Sequence, residues 1–164
     1  MIKKISALFN KITHGVYVIG VANGKEQNAF TAAWVMQASF APPMLAFSIN
    51  PEHYSYRLLK TGGVCTINVL GQDQLALAPH FGASGVKEKM TTYAWKPGIT
   101  DAPVLSDCLV YFECKLSHFT DAGDHKIVVC EVINAGELNS GWPLLYWQTG
   151  DMDGSSEFYT DKNQ

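Results

Sequence analysis

Short apolar runs of strand length, parted by polar residues, glycines and prolines, dominate this chain. "GVYVIGVA" reads as one strand, "GKEQ" as a turn, and the stretch from Asn28 to Pro43, "NAFTAAWVMQASFAPP", as the next strand. Taken by twos, that stretch puts Thr31, Ala33, Val35, Gln37 and Ser39 on one face and Ala32, Trp34, Met36, Ala38 and Phe40 on the other. The larger, more apolar face is expected to pack into a core. The small, polar face suits either a half-solvated sheet or the flat floor of a site for a planar ligand.

Further strands are expected at "MLAFSIN", "VCTINVL" and "PLLYW", and in two long runs, "CLVYFECKLSHF" and "HKIVVCEVINAGEL", around the turn "TDAGD". Helical spacing is rarer. Ile5, Leu8, Phe9 and Ile12 recur as one face of a short amphipathic helix with Gly15 as its C-cap. Asn50 followed by Pro51 reads as an N-cap with proline at N1, opening a helix that ends near Thr61 before Gly62 and Gly63. Asp73 is expected to cap a short helix through Leu75, Ala76 and Leu77, with "HFGASGVKEKM" an irregular surface loop after it. The order predicts an antiparallel β architecture with three short helices, closed or nearly closed into a barrel, since closure removes exposed sheet edges.

At 164 residues the chain fits one domain, spanning 1–164, with a polar tail from about Gly150. A net charge of −3 argues against a nucleic-acid partner, which asks for a basic stripe. No apolar run reaches the length that crosses a bilayer, and "MIKKISALFNKIT" lacks the uninterrupted apolar segment of a secretory leader, so no membrane partner and a cytoplasmic location are expected. Cys65, Cys108, Cys114 and Cys130 sit in apolar runs without C-x-x-C spacing, and the five histidines show no ligand pattern. Buried structural thiols and no metal are expected.

Several catalytic motifs are absent or accidental. No G-x-G-x-x-G, P-loop or G-x-S-x-G occurs, while Ser84–Lys87 (S-x-x-K) and Lys60–Gly62 (K-T-G) stand in reversed order in too short a chain for a penicillin-binding serine site. Three places remain. One is the small face around Thr31. Another is Ser48-Ile49-Asn50 leading into the helix that carries Ser55, where helix-terminal amides and hydroxyls can seat a phosphate, although Asn50-Pro51 is by itself more often a plain capping device. The third is "DAGDHKI", with Asp124 and His125 at a hairpin mouth, a position where a histidine is usually just solvated.

Together "TAAWVMQASFAPPMLAFSIN", "INVL", "LA" with "HFG", "ECK", "GDHKI" and "PLLYW" resemble the flavin reductase-like family of FMN-binding split barrels, over about Gly15 to Trp147. The branch with flavoredoxin-type proteins and the flavin reductase domains of flavodiiron proteins is most similar. The resemblance implies an antiparallel split β-barrel with short flanking helices. It implies FMN along Asn28, Thr31, Ala32, Ala33 and Trp34, with small side chains at Ala32 and Ala33 letting the ring lie close. It implies Ser48, Asn50 and Ser55 around the ribityl chain and phosphate, Lys89 as a cation near the flavin, and His125 beside the face where nicotinamide docks. "WVMQAS" stands where many relatives carry a serine-rich strand.

The implied activity is hydride transfer from NAD(P)H to bound FMN and onward delivery of electrons to free flavin, ferric iron or a partner redox protein. Homodimers with sites near the subunit interface are implied as well. A second reading is an FMN electron-transfer protein serving a rubredoxin or flavodiiron partner without efficient NAD(P)H oxidation. A third is a flavin-free barrel that holds haem or another ligand.

Overall fold

The apolar runs become strands, and nearly all of them join one sheet. The computed structural model describes residues 2–84 and 88–154, with side chains from Ile5 onward. In chain order the elements are α1 (Ile2–Phe9), β1 (Tyr17–Asn23), β2 (Glu26–Ala32), β3 (Val35–Ser39), β4 (Met44–Ile49), α2 (Tyr54–Gly62), β5 (Val64–Val69), α3 (Leu77–Gly82), β6 (Trp95–Lys96), β7 (Val104–Leu105), β8 (Val110–Ala122) and β9 (His125–Glu137). Seven strands pair in the order β2-β1-β5-β8-β9-β4-β3, all antiparallel, and β6 and β7 form a separate small hairpin.

The edge strands β2 and β3 are consecutive in the chain and joined only by Ala33 and Trp34. A sheet whose two edges are tied that closely must curl back on itself. The interior it encloses is one apolar cluster: Ile19, Phe30, Phe47, Cys65, Cys114 and Val128, each from a different strand, belong to it. Leu58 and Leu59 of α2 join the same cluster and close one end. Gly63 ends α2 at φ 70°, and its N–H donates to the Leu59 carbonyl at 2.9 Å, as the paired glycines predict. The result is the expected split barrel. Its seam lies where β2 gives way to β3, and the Ser48 N–H spans it to the Trp34 carbonyl at 3.1 Å.

A second cluster, with Val16, Val18, Leu70, Phe81, Leu105 and Leu144, packs outside the sheet beneath α3. Glu113, buried in the barrel wall, secures the loop beside it. Its carboxylate accepts from the Ile99 and Thr100 amides at 2.8 and 2.9 Å, from the Thr100 hydroxyl, and from Asn134 Nδ2 at 2.9 Å. Gly98 is required here, because a Cβ would stand 2.2 Å from the carboxylate.

Several expectations are corrected. The single strand expected over Asn28–Pro43 is two, because the chain crosses the seam at Ala33 and Trp34. Its apolar face is buried only as far as Ala32; Trp34, Met36 and Phe40 are 47%, 64% and 89% exposed, since β3 is an edge strand that among the described residues pairs with β4 alone. Gly15 is not a C-cap: α1 stops at Phe9, and Gly15 bridges Leu145. Asn50 does not cap α2 either. Its Oδ1 accepts from the Glu52 amide at 2.9 Å in a turn of its own, and the helix starts three residues later with His53 at its N-cap. The "HFG" of the expected loop is the end of α3, because Phe81 is buried in the second cluster. "PLLYW" is no strand but two isolated bridges, Gly71 with Pro143 and Gly15 with Leu145, running into a 3-10 turn at Tyr146–Thr149. The polar tail beyond Gly154, and Gly85–Lys87 of the S-x-x-K match, lie outside the described residues.

Candidate functional site

The seam opens into a cleft of about 570 Å³, within the range of about 300–1,000 Å³ in which small-molecule and cofactor sites fall. Thr31, Ala32, Ala33 and Trp34 line it where β2 ends, Ser48, Ile49 and Asn50 where β4 ends, and His125 where β9 begins. Phe30, His53, Pro79, Gly82, Ala83, Tyr146, Met152 and Asp153 complete the wall. Seven of the residues predicted from sequence therefore meet at one place, although they come from segments nearly a hundred positions apart.

The polar groups at this wall are already oriented. Thr31 Oγ1 donates to the Ala78 carbonyl at 2.6 Å, which ties α3 to β2 and leaves the oxygen only its acceptor role. His125 Nδ1 lies 2.7 Å from Asp124 Oδ1. A carboxylate accepts only, so it holds the proton on Nδ1 and makes Nε2 the ring's other polar atom. The Trp34 and His125 rings meet with centroids 5.4 Å apart and planes inclined by 55°. Half-buried, His125 is not the solvated turn residue that its place in the sequence also allows.

Three predicted residues stand off the wall. Asn28 Nδ2 donates to Ser55 Oγ at 3.0 Å, so these two side chains pair with each other and brace β2 against α2. Ser55 is buried. Lys89 is half-buried, and its backbone carbonyl lies 3.0 Å from His80 Nε2. Burial holds the Lys89 ammonium below the usual lysine range. His53 is likewise lowered, first by burial and then by the charges of His125 and Lys89. His53 thus stands near two further basic side chains, His125 and Lys89, an arrangement suited to an anionic ligand.

Residues 9–155 match the flavin reductase like domain. The chain belongs to this family. It is 34% identical over 119 residues to the FMN reductase (NADH) RutF of Agrobacterium fabrum, covering 72% of this chain and 68% of that one. It is 32% identical over 139 residues to the high molecular weight rubredoxin of Moorella thermoacetica, covering 82% of this chain and 61% of the relative. Among solved structures, the flavin reductase HpaC complexed with NADP+ superposes with a TM-score of 0.78 at 27% identity, over 89% of this chain and 93% of that one.

Sequence reasoning on this flavin reductase-like chain misses His53, the α3 residues, Tyr146 and the Met152–Asp153 pair. His53 carried a usable signal, since it follows the Asn50–Pro51 turn immediately before the helix. Met152 and Asp153 carried none. The Tyr146 hydroxyl donates to the Asp153 carboxylate, and this tether brings the start of the tail to the cleft.

Proposed function

We propose that this protein binds FMN in the seam cleft, takes a hydride onto it from NAD(P)H, and passes the electrons to a second acceptor. The observation that carries the reading is the convergence of the Thr31–Trp34 segment, Ser48–Asn50 and His125 on one cleft. Membership of the flavin reductase-like family supplies the chemistry class.

The residues fit such a group. A bound flavin supplies the hydride acceptor and the electron store. Ala32 and Ala33 present only methyl groups, so a planar ring can approach the backbone of the β2 end closely. Asn50, His53 and Lys89 gather donors and positive charge beside the start of α2, where a phosphate is favoured by the helix terminus. Asn28 and Ser55 serve this seat indirectly by holding α2 on β2. Trp34 and His125 flank the opening, where the imidazole, fixed by Asp124, orients a nicotinamide and helps to keep water off the reacting face.

Met36 on the edge strand and Phe40 just after it, and Leu8, Phe9 and Ile12 near the N-terminus, are exposed apolar side chains, which supports a homodimer with the cleft near its interface. Four free thiols agree with a cytoplasmic location. Among the described residues no helix is long and apolar enough to cross a membrane. A second reading, electron transfer to a rubredoxin-type or flavodiiron partner, is favoured by the similarity to the high molecular weight rubredoxin.

Purification decides the cofactor. The protein is expected to be yellow and to release FMN on denaturation, or, when colourless, to quench added FMN fluorescence with one equivalent per chain. A colourless protein that leaves FMN fluorescence unchanged contradicts the reading.

A further inference from the structure

Three of the four cysteines meet inside the barrel. Cys65 on β5 pairs directly across from Cys114 on β8. Cys130 on β9 stands opposite Leu116, and Cys114 opposite Val132, which makes Cys130 the diagonal neighbour of Cys114 on the same inward face. All three side chains are fully buried, and their Sγ atoms lie within 4.8 Å of one another. Cys108 is apart from them, in the second apolar cluster, with its thiol donating to the Val110 carbonyl at 3.3 Å.

This donor set is selective. Among the described residues no imidazole or carboxylate joins the three sulfurs, and the side chains packed with them, such as Ile67, Phe47 and Val128, are hydrocarbon. The Leu45 carbonyl, which accepts from the Cys130 thiol at 3.5 Å, is a single oxygen and no site for an oxygen-seeking cation, and tetrahedral zinc wants a fourth donor. Charge narrows the choice further. A buried site without counter-charge penalises any net charge strongly, and three thiolates are neutralised as a whole only by a trivalent centre.

We infer that Cys65, Cys114 and Cys130 form a three-sulfur binding site for a trivalent thiophilic metalloid, taken up as the neutral trihydroxide of arsenic(III). Three S–H and three As–O bonds break, three S–As and three O–H bonds form, and three waters leave. Arsenic stays trivalent and no electron is transferred. A three-coordinate centre with bonds near the thiolate–metal value of about 2.3 Å spaces its sulfurs by at most about 4 Å, and by less when a lone pair makes it pyramidal, so from the largest separation the group allows the thiols need to close by roughly an ångström or a little more. An uncharged ligand also enters an apolar interior at lower cost than an ion, through a local opening of the barrel.

The site is separate from the cleft, since none of the three cysteines lines it. It would staple β5, β8 and β9 together and so raise the unfolding temperature.

The test is intact-protein mass spectrometry of the native full chain after incubation with excess sodium arsenite and a phosphine reductant. The expected species carries one arsenic and has lost three hydrogens, and the Cys108→Ala variant gives the same species. Cys114→Ala is expected to lose it. The hydrogen count on the unaltered protein needs no variant that could unfold. Unmodified protein, an adduct that keeps a hydroxyl on arsenic, or an adduct lost in Cys108→Ala overturns the inference.

Discussion

The indole of Trp34 and the imidazole of His125 lie 5.4 Å apart, one at the β2–β3 crossing and the other at the first residue of β9. The contact joins the crossing between the two edge strands to the start of β9, which lies inside the sheet beyond β4, and both rings line the same cleft. Replacing His125 with Ala is expected to leave the fold and FMN affinity nearly unchanged. The rate of flavin reduction should fall ten- to a hundredfold, or about 1.4 to 2.7 kcal/mol of positioning. Stopped-flow traces of the two proteins decide it, and equal rates remove His125 from the site.

The floor can be filled deliberately. Ala33 is half-buried and lines the cleft, so Ala33→Phe should occupy the space for a planar ring without disturbing the barrel interior. FMN affinity is expected to drop tenfold or more, at least about 1.4 kcal/mol, while the unfolding midpoint stays close to that of the parent. Fluorescence titration and thermal unfolding measured together separate blocked binding from misfolding.

His53 tests the anionic seat. Its lowered basicity comes from burial and from its neighbours His125 and Lys89, and it stands at the N-cap of α2. The substitution His53→Ala should weaken FMN binding several-fold and leave riboflavin, which has no phosphate, unaffected. Equal losses for both ligands would place His53 against the ring or ribityl chain instead.

Acid stability should depend on Glu113. Burial pushes its carboxyl upward, but the donors from Asn134, Thr100 and Ile99 outweigh that and hold it below the usual value of 4.5. A group with a depressed folded-state value contributes stability that is present above the unfolded value and lost as pH falls through the folded one. The parent should therefore lose stability below about pH 4.5 more steeply than Glu113→Gln. At neutral pH that variant should be weaker by about 1–3 kcal/mol, because the amide satisfies the converging donors poorly. Denaturant melts across pH give both quantities.

Much of this arrangement is written in local sequence. Apolar runs of strand length mark β1, β4, β5, β8 and β9, and the resemblance built on "TAAW", the paired prolines and "GDHKI" points to residues that do share a cleft. What local pattern misses is decided by contacts distant in the chain. The two strands within Asn28–Pro43 look continuous because nothing in Ala33 or Trp34 announces a seam; closure of the barrel imposes it. Phe81 and "PLLYW" take their conformations from the second cluster and from bridges to Gly15 and Gly71. The same holds for Cys65, Cys114 and Cys130, whose meeting needs the β5–β8–β9 register.

Oligomeric state offers an independent check on the exposed edge. Met36 and Phe40 lie open on one chain, so light scattering at micromolar concentration is expected to give twice the chain mass, and Phe40→Asp to shift it toward one. A parent that scatters as a single chain contradicts the homodimer and any site shared between subunits.

The most direct measurement mixes the FMN-loaded protein with NADH or NADPH under argon and follows the absorbance of oxidised flavin. Bleaching is expected within seconds with at least one of the two donors, followed by recovery of the colour when free flavin or ferric iron is admitted. Protein that keeps its yellow colour with both donors, while a chemical reductant bleaches it readily, contradicts NAD(P)H oxidation and leaves electron transfer from a protein partner as the function of this cleft.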